Sequence, residues 1–278
     1  MMHLFDKTSG DCSRITAENY STSFASAIKL LHKDLRNDIY NIYGFVRFTD
    51  EIVDTFHDYN KEALLQKFCD ETYEAIETGI SLNPILHSFQ LTVNKHQLDI
   101  SLIDAFFRSM KSDLKTICYN EDLYEEYIYG SAEVVGLMCL YIFCEGNKKL
   151  YDELKSFAKS LGAAFQKVNF LRDIKSDNEL LQRMYFPGCN LEKFSFADKV
   201  KIEDDIQKDF ANAYAGISLL PEKARFGVYV AYKYYLSLFK KIKKLKLAKF
   251  LETRTRIPDY GKVLIVAKAG LRNQLNLL

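Results

Sequence analysis

The chain has 278 residues, 48% of them apolar and 27% charged, which excludes a largely disordered polymer and leaves ample material for a core. Thirty-eight Lys and Arg stand against 37 Asp and Glu, a net charge of +1 without the broad positive field of a dedicated nucleic-acid binder. Four Pro and 12 Gly are too few for a turn-rich β-sandwich and suit long helices.

In chain order, residues 1–10 show no basic stretch leading into an apolar one, so no secretory signal is expected. Helical periodicity then predicts helices over about 20–32, 37–57, 60–78, 82–95, 99–115, 121–145, 148–176, 199–220, 222–250 and 260–275. Asn83-Pro84, Pro187-Gly188 and Ile257-Pro258 punctuate them, and none begins a flexible linker. The most apolar run, Val134 to Cys144, is eleven residues long, short of the ~20 that a spanning helix needs, and reads as a core helix. Cys12, Cys69, Cys118, Cys139, Cys144 and Cys189 form no CxxC pair, and the five His form no HxxxH or HExxH spacing. The expectation is one all-α domain over residues 1–278, roughly ten helices, cytoplasmic, with reduced thiols.

Two of these helices carry polar stripes inside apolar surroundings. Between Leu161 and Asp177, Gly162, Gln166, Asn169, Asp173 and Asp177 fall within about 80° of one another at 100° per residue. Between Tyr40 and Asp54, Tyr43, Arg47, Asp50 and Asp54 fall within about 60°. Exposed helix faces are usually laced with Lys and Glu, so these stripes read as the lining of a polar cavity. Asp50/Asp54 and Asp173/Asp177 are like charges at i,i+4, a spacing that disfavours a helix by roughly 0.2–0.5 kcal/mol when exposed and more when buried. Repeated twice, it asks for a cation. A hard divalent ion such as Mg²⁺ takes one or two carboxylates and completes its shell with waters and phosphate oxygens. Arg47 and Arg172 stand close enough in sequence to meet those phosphates. Ionisation of an allylic diphosphate beside Phe and Tyr faces fits this set; spacing alone leaves other metal–phosphate chemistry open.

These residues, with their neighbours, resemble the squalene/phytoene synthases, most nearly the bacterial phytoene synthases. Tyr20 to Phe24 resembles the family's N-terminal serine motif, and Asp50 to Asp54 its first aspartate motif. Tyr127 to Gly136 is similar to its central tyrosine–glycine motif, and Gln166 to Asp177 to its second aspartate motif. Arg183 to Pro187 follows as the RxYFP element, and Arg254 to Ile257 sits where members carry a late arginine. Glu133 departs from the small residue usual in the squalene branch. The resemblance implies the isoprenoid synthase fold, a helical bundle around a central cavity. It implies that Asp50, Asp54, Asn169, Asp173 and Asp177 bind Mg²⁺ (or Mn²⁺). Ser21, Ser23, Phe24, Arg47, Gln166, Arg172 and Arg256 would contact the prenyl diphosphate. Tyr43, Tyr129 and Tyr185 would flank the reacting carbons, with Tyr127 the competing choice for the central tyrosine. The implied activity is 15-cis-phytoene synthesis, the condensation of two geranylgeranyl diphosphates through prephytoene diphosphate, as the first step of carotenoid biosynthesis. Farnesyl diphosphate as substrate, giving squalene or dehydrosqualene, and a non-catalytic assembly factor of the same family are the alternatives. With no GxGxxG or GxG in the chain, no nicotinamide cofactor is expected.

Phe239 to Phe250 holds six lysines interleaved with Phe239, Ile242, Leu245, Leu247 and Phe250. It reads as a solvated helix face over the core or as a peripheral contact with anionic lipid on the inner face of the membrane.

Overall fold

The computed structural model describes residues 2–114, 119–181, 183–189 and 193–275, with the side chains of 178–181 left aside. Cys118 lies outside these residues. Every regular element among them is helical: α1 (Met2–Tyr20), α2 (Thr22–Ile28), α3 (Lys33–Asp54), α4 (Lys61–Thr78), α5 (Pro84–His96), α6 (Ile100–Asp113) and α7 (Glu121–Ile128). A π-helical turn, Tyr129–Glu133, joins α7 to α8 (Val134–Cys144). Then come α9 (Lys148–Leu181), α10 (Phe196–Ile217), α11 (Glu222–Lys243), α12 (Leu247–Glu252) and α13 (Asp259–Gln274). Asn60, Asn83, Asp99 and Asn120 accept backbone N–H bonds at the starts of α4 to α7. Ser195 and Asp198 form a capping box at the start of α10.

Two departures from the periodicity reading stand out. The first helix, α1, buries only Ser9, Ser13, Thr16 and Ala17, so it has no apolar stripe to announce it. It seats by close approach instead: a Cβ on Gly44 would stand 2.6 Å from Ser13 Oγ, and that hydroxyl meets Ser88 Oγ at 2.7 Å. The second is the helix expected over 222–250, which breaks at Lys244–Lys246 into α11 and α12. Phe239, Ile242 and Phe250 of this basic segment are buried in the core, so its own apolar side is not available to lipid.

The side chains pack into two apolar clusters. One centres on α3, α5, α6 and α8, where Phe45 stacks on Phe89 at 3.9 Å between ring centres. The other centres on α9, α10 and α11. Val134, Met138 and Ile142 are fully buried in the first. The stretch Glu121–Cys144 is thus long and apolar enough to cross a membrane by length and composition, yet more than half of its most apolar window is inside the protein.

Candidate active site

A cavity of about 620 Å³ runs between the two clusters and takes lining residues from both. Leu31, Leu140, Phe143, Leu154, Phe157 and Ile217 line its apolar part. The polar part contains both predicted stripes, Tyr43, Arg47, Asp50 and Asp54 from α3 and Gly162, Gln166, Asn169, Asp173 and Asp177 from α9, together with Arg172. Gly162 permits this wall by close contact, since a Cβ there would lie 2.6 Å from the Ala132 carbonyl oxygen of the π-turn.

The two acidic pairs line the same cavity from different helices, and the charge of Asp54 on α3 is felt by Asp177 on α9. Burial raises the Asp177 carboxyl to about 7, with Asp173 on its own helix and Asp54 on α3 adding to the rise. Burial and the neighbouring Asp54 push Asp50 to about 8. Asp173 behaves oppositely. Its burial is outweighed by the Arg172 guanidinium, which forks onto both carboxylate oxygens, and by Arg254, whose Nε lies 2.6 Å from Oδ1. Its carboxyl is held below the usual range. Among the described residues no three His, Cys, Asp or Glu are grouped tightly enough to hold one ion by themselves. The oxygen donors that line the cavity, Asp50, Asp54, Asp173, Asp177 and Asn169, are of the hard type that suits a divalent ion only if water and a phosphate ligand supply further oxygens.

A further buried acid, Asp113 at the end of α6, lines the same cavity. Burial lifts it to about 7 against the pull of the Arg183 charge, and Asp54 adds to the rise. Tyr127 donates to it at 2.7 Å. Arg183 lies between acids, 3.2 Å from Asp54 Oδ1 and 3.5 Å from Asp113 Oδ1, and donates also to the Asp113 carbonyl and to Tyr185 Oη. Asp50, Asp113 and Asp177 all titrate above their unfolded value near 3.8. Such groups hold protons in the fold at pH values where the unfolded chain has released them, so stability falls as pH rises from about 4 to about 8. The melting temperature without divalent ions is accordingly expected to be several degrees higher at about pH 6 than at about pH 8.5, measured by thermal circular dichroism.

Aromatic rings flank the acids on two sides. Phe24 lies 6.0 Å from Tyr43 and 5.4 Å from Tyr235, and Tyr235 stacks on Phe165 at 4.0 Å. Tyr185 stacks on Phe170 at 3.9 Å, with Tyr127 at 5.1 Å from Tyr185. All seven rings line the cavity. Arg47 pairs with Glu51 and lies 4.3 Å over the Tyr20 ring. Asn169 accepts from Tyr235 Oη at 3.3 Å, and Ser21 caps α2 by accepting from Phe24 N–H at 3.2 Å.

Three predicted residues stand elsewhere. Tyr129 does not line the cavity; Tyr127 does. Two residues apart on a helix point about 200° apart, so both cannot face the same space, and Tyr129 instead packs on the first cluster with Lys159 5.1 Å over its ring. Ser23 falls off the α2 stripe formed by Phe24, Ala27 and Ile28, which lines the cavity together with Leu31 of the following turn. Arg256 is exposed, with its carbonyl accepting from Lys241; Arg254 is the late arginine that reaches the site. Asp113, Tyr235 and the ion-pairing of Arg183 were not legible in the sequence. A carboxylate at a helix C-terminus and a tyrosine in a Tyr-rich helix carry no pattern that separates them from their neighbours.

Several known proteins are similar to this chain in sequence or fold. A phytoene synthase from Zea mays is 29% identical over 193 residues, covering 68% of this chain and 46% of its own length, so the chain spans about half of that relative. A phytoene synthase from Arthrospira platensis is 26% identical and matches 94% of this chain and 92% of its own length. The crystal structure of a dehydrosqualene synthase in complex with ligand superposes with a TM-score of 0.81 over 97% of this chain and 98% of that one, at 18% identity, which establishes the fold. With the squalene/phytoene synthase model matched over residues 17–260, the chain belongs to that family.

Proposed function

We propose that the protein is a 15-cis-phytoene synthase that condenses two molecules of geranylgeranyl diphosphate. The observation that carries the reading is the pair of acidic rungs that line, from two helices, the polar end of an aromatic-walled apolar cavity. Asp50, Asp54, Asp177 and Asn169, with Asp173 once freed from its arginines, would hold Mg²⁺ (or Mn²⁺), whose charge would assist departure of the diphosphate. Arg47, Arg172 and Arg254 meet its oxygens, exchanging carboxylate partners for phosphate. The C1–O bond of one substrate breaks, and the resulting C1 cation is taken up by the double bond of the second with loss of a proton, giving the cyclopropyl prephytoene diphosphate. A second C1–O cleavage, rearrangement and loss of another proton give phytoene and the second pyrophosphate. Phe24, Phe165, Tyr235, Phe170 and Tyr185 present ring faces to the cationic carbons and exclude water. The phytoene synthases from Z. mays and A. platensis support the geranylgeranyl length.

The deciding assay supplies labelled geranylgeranyl or farnesyl diphosphate with Mg²⁺ or Mn²⁺, with and without NADPH. Phytoene from the longer substrate, with no need for NADPH, is the expected result. Product from farnesyl diphosphate alone replaces the reading with squalene or dehydrosqualene synthesis. No product from either points to the non-catalytic alternative. Within the same assay, Tyr127→Phe is expected to lower turnover by about tenfold or more, because the buried Asp113 loses its donor. Tyr129→Phe should remain within about twofold of wild type.

A further inference from the structure

The last helix carries apolar residues on opposite sides. Ile265, Val266 and Ala269 of α13 pack inward against the second cluster. On the other side Tyr260, Val263, Leu264 and Leu271 are 73%, 67%, 55% and 61% exposed, with Ala267 exposed between them. At 100° per residue these five fall within about 100°, centred opposite the buried face. A soluble helix presents polar residues at such positions, so a continuous outward stripe of this kind marks a contact surface.

The charges beside the stripe say what covers it. Lys268 and Arg272 lie along one flank of α13, and Lys233 and Lys240 of α11, the helix on which α13 packs, complete a cationic group. Burial, followed by the charges of Lys240, Arg272 and Lys268, holds the Lys233 ammonium below its usual range. Lys241 donates to the Arg256 carbonyl at 2.7 Å and so adds a further ammonium near the start of α13. A second copy of this chain seated symmetrically on the stripe would set this group against itself. An anionic lipid surface meets both features at once, apolar chains under the stripe and headgroup phosphates under the cations.

We propose that the outward face of α13 is a docking surface for anionic membrane, with Tyr260, Val263, Leu264 and Leu271 entering the acyl boundary and Lys240, Lys268 and Arg272 meeting the headgroups. The surface adjoins the site: Lys262 of α13 contacts Thr22 Oγ1, next to the cavity-lining Ser21. Docking there would bring a prenyl substrate to the cavity without passage through water, but the surface itself requires no turnover and goes beyond the proposed reaction.

The chain has no tryptophan, so Leu264→Trp provides a single reporter on the stripe. Flotation of the full chain is carried out with phosphatidylcholine vesicles, with or without phosphatidylglycerol, in the absence of substrate and divalent ions. Retention on the phosphatidylglycerol vesicles at low ionic strength is expected, falling at least about tenfold in high salt. The indole emission of the Leu264→Trp variant should shift to the blue on those vesicles. Val263→Ser/Leu264→Ser/Leu271→Ser and, separately, Lys240→Gln/Lys268→Gln/Arg272→Gln should each lower retention at least about tenfold with unchanged helicity. Retention that survives the serine substitutions, or an emission spectrum unmoved by vesicles, overturns the proposal. So does sedimentation showing a dimer that the serine substitutions split and that does not float. Because no substrate is present, failure here leaves the condensation assay standing, and failure of that assay leaves vesicle binding standing.

Discussion

Replacing Asp50 or Asp177 with Asn is expected to lower turnover by about three orders of magnitude and, in the same protein, to raise the melting temperature measured without divalent ions. The two effects have one cause. Both carboxyls are raised, Asp50 to about 8 and Asp177 to about 7, by burial and by neighbouring acids. Near neutral pH their ionised forms are unfavourable in the fold without divalent ions, and an amide of the same shape cannot ionise. The repulsion that weakens the fold is what a bound cation would relieve. Added Mg²⁺ should therefore stabilise the wild type and stabilise either variant much less, by the linkage of ligand binding to folding. Thermal circular dichroism with and without Mg²⁺, beside a turnover assay, checks all of this. Near-normal turnover in both variants would remove the metal-binding role of the acids.

Arg183→Met should be the most destabilising single change in the site, by about 3–5 kcal/mol, because it strands buried negative charge. Arg183 is 6% exposed and Asp113 5% exposed, and the guanidinium also serves Asp54, Tyr185 and the Asp113 carbonyl. The double variant Arg183→Met/Asp113→Asn removes both charges and should recover most of the lost stability. It should not recover turnover, since Tyr185 and Asp54 stay without their common partner. Urea melts of the single and double variants, with turnover on each, separate the two roles; equal stability of the two variants would show that the pairing with Asp113 contributes little.

The parts of this architecture legible in the sequence are those that obey a period. Asp50 and Asp54, and Asp173 and Asp177, share stripes with Tyr43, Arg47, Gln166 and Asn169, and a straight helix carries such stripes to one wall of a cavity. The helix α1 was invisible because Ser9, Ser13, Thr16 and Ala17 seat it through small side chains and not through an apolar ridge. The end of α11 has no Gly or Pro to mark it, only lysines that suit a helix as well as its terminus. Asp113 and Arg183 come together across 70 positions of chain, and each alone is an ordinary charged residue. Arg254 and Arg256 lie in the irregular stretch between α12 and α13, where no period tells which one turns inward.

The choice between Tyr127 and Tyr129 has a different origin, the wide turn at Tyr129–Glu133. A π-turn accommodates one additional residue, and Ser131 Oγ bonds the Tyr127 carbonyl at 2.7 Å where the regular ladder is interrupted. That residue offsets everything before it by about 100° relative to α8. Excising Ser131 would let α7 and α8 merge into one uninterrupted helix, more regular in its backbone than the native chain. The same excision would swing the Tyr127 hydroxyl out of reach of Asp113, leaving a better-formed rod with its phenol aimed at the wrong neighbour.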